Sequence, residues 1–155
     1  MKTRALPGPP QRVFSTEGAT SSRAPRESIV ALLHDPQRWP VWQREIVEAN
    51  GPAPLAAGDV VEGRARMLGF GVQGHATATE VNPSCLEKDV IVGVRMRVRV
   101  EVDEVADSVR PARVTYRLVA DLPDGPLGRV LSFFLKRRFK KMQALVLSEL
   151  SELRP

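Results

Sequence analysis

Over residues 125–153 the hydrophobic period of the chain is helical, whereas everything from residue 59 to 120 repeats every second residue. Leu131, Phe134, Leu135, Met142, Leu145, Val146 and Leu153 recur at three- and four-residue steps, the mark of one amphipathic helix. Counted from Leu127, its about 27 residues would span about 40 Å, long enough to lie along a whole sheet. The strand before it is equally plain. In residues 93–105 (GVRMRVRVEVDEV), Val94, Met96, Val98, Val100 and Val102 point one way, and Arg95, Arg97, Arg99, Glu101 and Asp103 the other. A one-residue slip would bury the charges, so the register is strongly specified. A single long helix against a curved sheet leaves an elongated apolar space, and such spaces hold ligands.

The same alternation places Val61, Gly63, Ala65 and Met67 on one face of an earlier strand, and Phe70, Val72, Ala76 and Ala78 on one face of the next. Residues 86–92 make a shorter strand, and Ala112, Val114, Tyr116, Leu118 and Ala120 mark the last. Short turns between successive strands imply antiparallel pairing. Upstream, residues 12–22 read as a first strand weakened by Gly18. Ala24-Pro25-Arg26-Glu27 opens a short helix, and Asp35-Pro36 ends it and caps the next, which carries Trp39, Pro40 and Trp42. Residues 51–58, rich in Pro and Gly, form a loop, and residues 1–10 read as a flexible arm before a single domain over 11–155. The expected order is a strand, two short helices, about five strands and one long helix.

Composition excludes several classes. A chain of 155 residues suits one domain, burying roughly 70% of its unfolded surface. No apolar run reaches the about 18 residues of a membrane span. The basic N-terminus lacks the apolar core of a signal peptide, so a cytoplasmic protein is expected. The single Cys85 excludes an internal disulfide and a cysteine zinc site, and is expected to be a small buried hydrophobe. No metal-ligand cluster stands out, and no cofactor is expected. Residues 69–74 (GFGVQG) spell G-x-G-x-x-G, but strand rather than helix follows, which rules against a dinucleotide loop. Strand parity makes His75 a surface residue, and His34 is expected to cap a helix or lie at the surface.

The net charge is +5. It concentrates in Lys136, Arg137, Arg138, Lys140 and Lys141 on the helix, and in Arg95, Arg97 and Arg99 on one strand. Nucleic-acid binding would also call for exposed aromatics or a groove-reading helix, and most of the few aromatics fall on apolar faces. A weak peripheral contact with an anionic membrane fits better, with Phe133 and Phe139 flanking the basic residues.

Residues 24–42, from Ala24-Pro25-Arg26-Glu27 through Leu32-Leu33-His34-Asp35-Pro36 to Trp39-Pro40-Val41-Trp42, resemble an "A-P-x-E … L-x-D-P-x-x-W-P-x-W" stretch. That stretch belongs to the START-like (SRPBCC) superfamily, whose bacterial members include polyketide cyclase/dehydrase-like proteins. Leu55-Ala56-Ala57-Gly58-Asp59, the Glu80-Val81-Asn82-Pro83 turn and Gly125-Pro126-Leu127-Gly128 are also similar, and the likeness covers about residues 11–153. The chain departs from it at Ile29-Val30, where the family often carries an aromatic, which bears on the shape of the pocket floor. The resemblance implies the α+β helix-grip fold: a curved antiparallel sheet of six or seven strands wrapped around the C-terminal helix. It also implies that one of the two tryptophans lines the ligand entrance.

The expected ligand-binding residues follow from these faces. Trp39 and Trp42 close one end of the space. Met67, Phe70, Val72, Met96, Val98, Tyr116 and Leu118 come from the inward face of the sheet, and Leu131, Phe134 and Met142 from the helix. Arg138 falls between Phe134 and Met142 and needs a partner, water or a ligand anion, or else its head reaches the rim. The expected function is binding of a hydrophobic or aromatic small molecule, lipid- or polyketide-like. A ligand of about 25 heavy atoms at about −0.3 kcal/mol per atom would bind in the low micromolar range. The alternatives are a polyketide cyclase/dehydratase using the same cavity, with Arg138 and Tyr116 polarising a carbonyl, and a peripheral anionic-membrane or RNA-binding protein using the basic helix face.

Overall fold

The computed structural model describes residues 12–67 and 69–154; the expected N-terminal arm lies outside them. Seven strands form one curved antiparallel sheet in the order β1-β7-β6-β5-β4-β3-β2. They are β1 (Arg12–Ser22), β2 (Ile46–Asn50), β3 (Val60–Met67), β4 (Phe70–Asn82), β5 (Cys85–Ile91), β6 (Arg95–Glu104) and β7 (Ala112–Leu122). Helix α1 (Arg26–Leu33) and a 3-10 turn (Pro36–Arg38) running into α2 (Trp39–Trp42) follow β1, and α3 (Gly125–Ser151) ends the chain. This is the helix-grip fold that the resemblance implies.

β2 to β7 form a meander, and β1 closes the opposite edge by pairing with β7 from Arg12↔Leu122 to Ser22↔Ala112. The alternation of residues 95–104 survives intact. Met96, Val98, Val100 and Val102 are buried, while their neighbours ladder across the outer face. There Arg99 reaches Glu80 (2.5 Å), Glu101 (2.6 Å) and Glu87 (3.0 Å), and Arg97 reaches Asp89 (2.8 Å). Arg97 and Arg99 are therefore paired with carboxylates of the same sheet face.

Helix α3 packs on β1 and β7. It buries Gly128, Ser132, Leu135, Phe139, Met142, Val146 and Leu150, which keeps Leu135, Met142 and Val146 of the expected stripe but not Leu131 and Phe134. Leu131 and Phe134 are exposed, and Phe139, expected among the surface basic residues, stacks on Phe14 at 6.1 Å. The helix carries two apolar stripes, and periodicity alone cannot choose between them. Small residues choose. A Cβ on Gly128 would lie 2.7 Å from the Pro123 carbonyl oxygen, so only glycine lets the helix start there. On β1 a Cβ at Gly18 would sit 2.8 Å from Leu147 and closer still to Gln143, side-chain ends of the crossing helix that would have to shift. The glycine that weakens the strand reading is where helix and sheet meet.

The far end of α3 is latched. Ser22 Oγ donates to the Leu150 carbonyl at 2.6 Å, and Arg110 Nη1 donates to the Ser21 carbonyl at 2.9 Å. At the other side of the sheet, α1 and α2 close over the core. Asp35 caps the 3-10 turn by accepting from the Gln37 N–H at 3.1 Å, and Trp39 Nε1 donates to the Leu33 carbonyl at 2.8 Å. Gly69 has φ +84° at the β3–β4 turn, and β4 continues through the G-x-G-x-x-G stretch as strand.

Candidate functional site

Between the β2–β5 part of the sheet and Met142 of α3 lies a cavity of about 70 Å³. Its apolar walls are Trp39, Ala49, Val61, Ala65, Met67, Ala76, Val90, Val92, Met96 and Met142. Exposed Glu48, Glu62, Arg64 and His75 mark its open side, next to the edge strand β2. By this measure a single water needs about 10–15 Å³. The cavity thus takes roughly five water-sized groups, far fewer than a ligand of polyketide length. A longer guest must extend through the open side or displace Met142.

Of the residues expected to bind ligand, the structure gathers Trp39, Met67, Met96 and Met142 at the cavity. Trp42, Val98, Tyr116 and Leu118 lie in the solid core instead, and Val72 packs half-buried against it. Phe70, at the tip of the β3–β4 hairpin, is 74% exposed, and Leu131 and Phe134 face away from the sheet. The last two follow from the rotated helix face. Phe70 shares its face with Val72 and Ala76, but pairs only with Met67 at the hairpin's end, beyond the cover of α3.

One wall of the cavity is polar, and it was not read from the sequence. Lys88 of β5 is 1% exposed. Its Nζ donates to Gln43 Oε1 at 3.1 Å and lies 3.8 Å from the centroid of Trp39 and 5.2 Å from that of Trp42. Burial lowers its pKa from 10.5 to about 7, because desolvation disfavours the ammonium. The signal was present: Leu86, Lys88 and Val90 alternate with Glu87 and Asp89, so whatever buries the leucine buries the lysine. Gln43 and Glu45 escaped because residues 43–50 carry no clean period, and β2 is a short edge strand interrupted by a bulge.

Glu45 is buried and lines the same cavity. Its Oε1 lies 3.6 Å from Arg138 Nη2, and Arg138 is half-buried at the edge of α3. Arg138 therefore faces a carboxylate, and its partner rather than Arg138 itself borders the cavity. Glu45 Oε2, Arg138 Nε, Trp42 Nε1 and the Tyr116 hydroxyl are all buried without a hydrogen-bond partner. Burial first, and the Glu45 charge second, push the Tyr116 phenol well above its usual pKa. Of these atoms only Glu45 Oε2 belongs to a residue that lines the cavity.

The other titratable candidates are structural. Cys85 is buried, its thiol pushed up to about 11 by desolvation. His34 closes α1 through its backbone N–H to the Val30 carbonyl at 3.0 Å, and His75 is exposed. Among the described residues no three His, Cys, Asp or Glu side chains come together as a metal site, and no helix is long and apolar enough to cross a membrane.

A family model described as polyketide cyclase / dehydrase and lipid transport matches residues 3–153. No curated protein matches by sequence. The fold is similar to the Zhui aromatase/cyclase of Streptomyces sp. R1128, at TM-score 0.74 and 10% identity over 90% of this chain and 92% of that one. It is also similar to the di-domain aromatase/cyclase StfQ of the steffimycin pathway, at TM-score 0.70 and 10% identity over 90% of this chain and 49% of that one. A START superfamily protein from Mycobacterium smegmatis matches at TM-score 0.66 and 10% identity, over 88% and 96%. At these identities the neighbours establish the fold alone.

Proposed function

The chain belongs to the polyketide cyclase/dehydrase and lipid-transport family, and from that premise we propose that it binds a hydrophobic or aromatic small molecule between the β2–β5 wall and α3. The observation that carries this reading is the apolar cavity walled by Met67, Met96 and Met142 and closed by Trp39. Methionines suit such a wall because unbranched thioether chains re-pack around different guests. Native mass spectrometry of the protein purified from its own host should show a co-purified molecule released by denaturation. Ligand-free protein that also fails to take up any apolar probe would end the reading.

A second reading, a cyclase or dehydratase acting on a polyketide-like chain, is favoured by one observation: Lys88 and Glu45 border the same cavity. A near-neutral amine and a carboxylate on one wall are the groups needed to move a proton beside a folded poly-β-carbonyl chain. Incubation with a poly-β-keto thioester analogue separates the two. Faster cyclisation that is lost in Glu45→Gln supports catalysis, and unchanged substrate supports binding alone.

A peripheral contact with anionic membranes draws on the outer face of α3. Leu127, Val130, Phe133 and Phe134 are exposed there, beside Lys136, Arg137, Lys140 and Lys141, and the helix carries no acidic residue before Glu149. Co-sedimentation with phosphatidylglycerol vesicles but not phosphatidylcholine vesicles, lost at high salt, is the expected behaviour.

A further inference from the structure

Lys88 stands out against its neighbours on β5. Glu87 and Asp89 face the other side of the sheet, where Arg99 and Arg97 pair with them at 3.0 Å and 2.8 Å. Lys88 faces inward, and among the described residues no carboxylate lies within 4 Å of its ammonium. The nearest buried acid on the cavity wall, Glu45, is engaged by Arg138. An ammonium has three donors; Gln43 Oε1 takes one, and the Trp39 and Trp42 rings supply only their π faces. A buried amine held by an amide and two indoles, with an apolar cavity in front of it, lacks a counter-ion for its charged form and has room for one.

We propose that Lys88 is the receptor for an ionised oxygen group, a carboxylate or enolate, on an otherwise apolar ligand. The inference rests on the cavity-binding reading and names the chemical class that the cavity selects. The ligand's acidic head would sit against Lys88, with its apolar part against Val90, Val92 and Met96. The exchange balances simply. Neutral Lys88 takes one proton from solvent onto its nitrogen lone pair, the ligand arrives as its anion, and an ion pair forms with no bond made between protein and ligand. An acid is preferred over a neutral analogue of the same size because a charge-assisted hydrogen bond to the buried Lys88 is roughly twice as strong as a neutral one. The other ionisable groups around Lys88 do not replace the ligand. On the inner side Glu45, before β2, is paired with Arg138 of α3, and Tyr116 of β7 is held neutral. Glu48 of β2, Glu62 and Arg64 of β3 and His75 of β4 lie on the open, exposed side.

The test compares hexanoate with 1-hexanol, which share a chain and differ in the head. Calorimetry in buffers of different ionisation enthalpy at pH 7.5 reads affinity and proton uptake together, and indole fluorescence reports the displaced Trp39–Lys88 contact. Hexanoate is expected to bind about tenfold or more tightly than hexanol, taking up more than about half a proton as Lys88 becomes charged. Lys88→Met should bind both equally, with no uptake. Equal binding of the two by the wild-type protein, without uptake, overturns the inference and leaves the cavity reading standing. Binding of neither overturns both. If Lys88→Met does not fold, proton uptake by the wild-type protein decides the matter alone.

Discussion

The two halves of the sheet are built from the same alternating strands and end differently. On the β1–β7–β6 side α3 lies directly on the sheet. Gly18 admits Leu147, Phe139 stacks on Phe14, and Val98, Val100, Val114, Tyr116 and Leu118 are closed off from solvent. On the β5–β4–β3–β2 side only Met142 of the helix reaches the cavity, and the facing side chains are short: Ala49, Val61, Ala65 and Ala76. One half is filled with large side chains, and the other leaves a hollow where short side chains face Trp39 and the methionines. The filled half holds the helix to the sheet, and the hollow half carries the buried Lys88.

The largest expected effect lies on the filled side. Phe139→Ala removes a fully buried ring at the helix–sheet contact and should cost about 3–5 kcal/mol, read from the urea midpoint. A loss under about 1 kcal/mol would mean the helix is not seated as described.

On the hollow side the sign reverses. Lys88→Met replaces a buried cation by an apolar chain of similar length and should raise stability at pH 6 by about 1–4 kcal/mol. That gain must fade with pH. Lys88 loses its proton near pH 7 in the folded chain and near 10.5 when unfolded. Below the first value both states are charged and the folded protein bears the whole desolvation cost. Between the two, the unfolded chain holds more protons, so wild-type stability rises with pH and approaches that of the variant. Comparing the two proteins at each pH removes the contribution of Tyr116, which is common to both. A gap that stays constant from pH 6 to 10 would show that Lys88 keeps its charge in the folded state.

This contrast also explains what the sequence made legible. Strands β1, β3, β4, β6 and β7 were readable because one face meets a core and the other meets water, so alternation survives in residues such as Met96, Val98 and Val100. Helix α3 was readable as a helix, and its inward face was readable at Leu135, Met142 and Val146 but not near its start. Its inward face near the start is marked by Gly128 and Ser132, residues chosen for smallness, while Leu131 and Phe134 lie outside it. The site was legible where large residues line it, at Trp39, Met67, Met96 and Met142. It was not legible at Gln43, Glu45 and Lys88, because hydrophobic patterning treats a polar residue as outward, and polar side chains turned into a cavity break that rule.

A smaller effect tests whether the hollow is real. Ala76→Leu adds three carbons to a buried residue on the cavity wall. In a filled core such an insertion costs about 1–3 kcal/mol; here the added chain enters open space. Stability should therefore stay within about 1 kcal/mol of wild type, while hexanoate affinity falls at least about tenfold, since a contact worth about 1.4 kcal/mol corresponds to that factor. The same change at Ala120, on the filled side of the same face, should cost the full overpacking penalty. If both variants lose equal stability, the two halves are packed alike and the cavity closes in solution.

The smallest effect on folding belongs to the outer face of α3. Phe133→Ser alters a residue that is 57% exposed and touches Phe134 and Arg137 on its own helix. Surface changes of this kind stay within about 0.5 kcal/mol, so the urea midpoint should hardly move. Vesicle binding should fall, because an apolar ring is removed while the charge stays the same, and what remains is the salt-sensitive attraction of Lys136, Arg137, Lys140 and Lys141. Unchanged sedimentation with phosphatidylglycerol vesicles would show that the ring does not enter the lipid, and the outer face of α3 would then be only solvated.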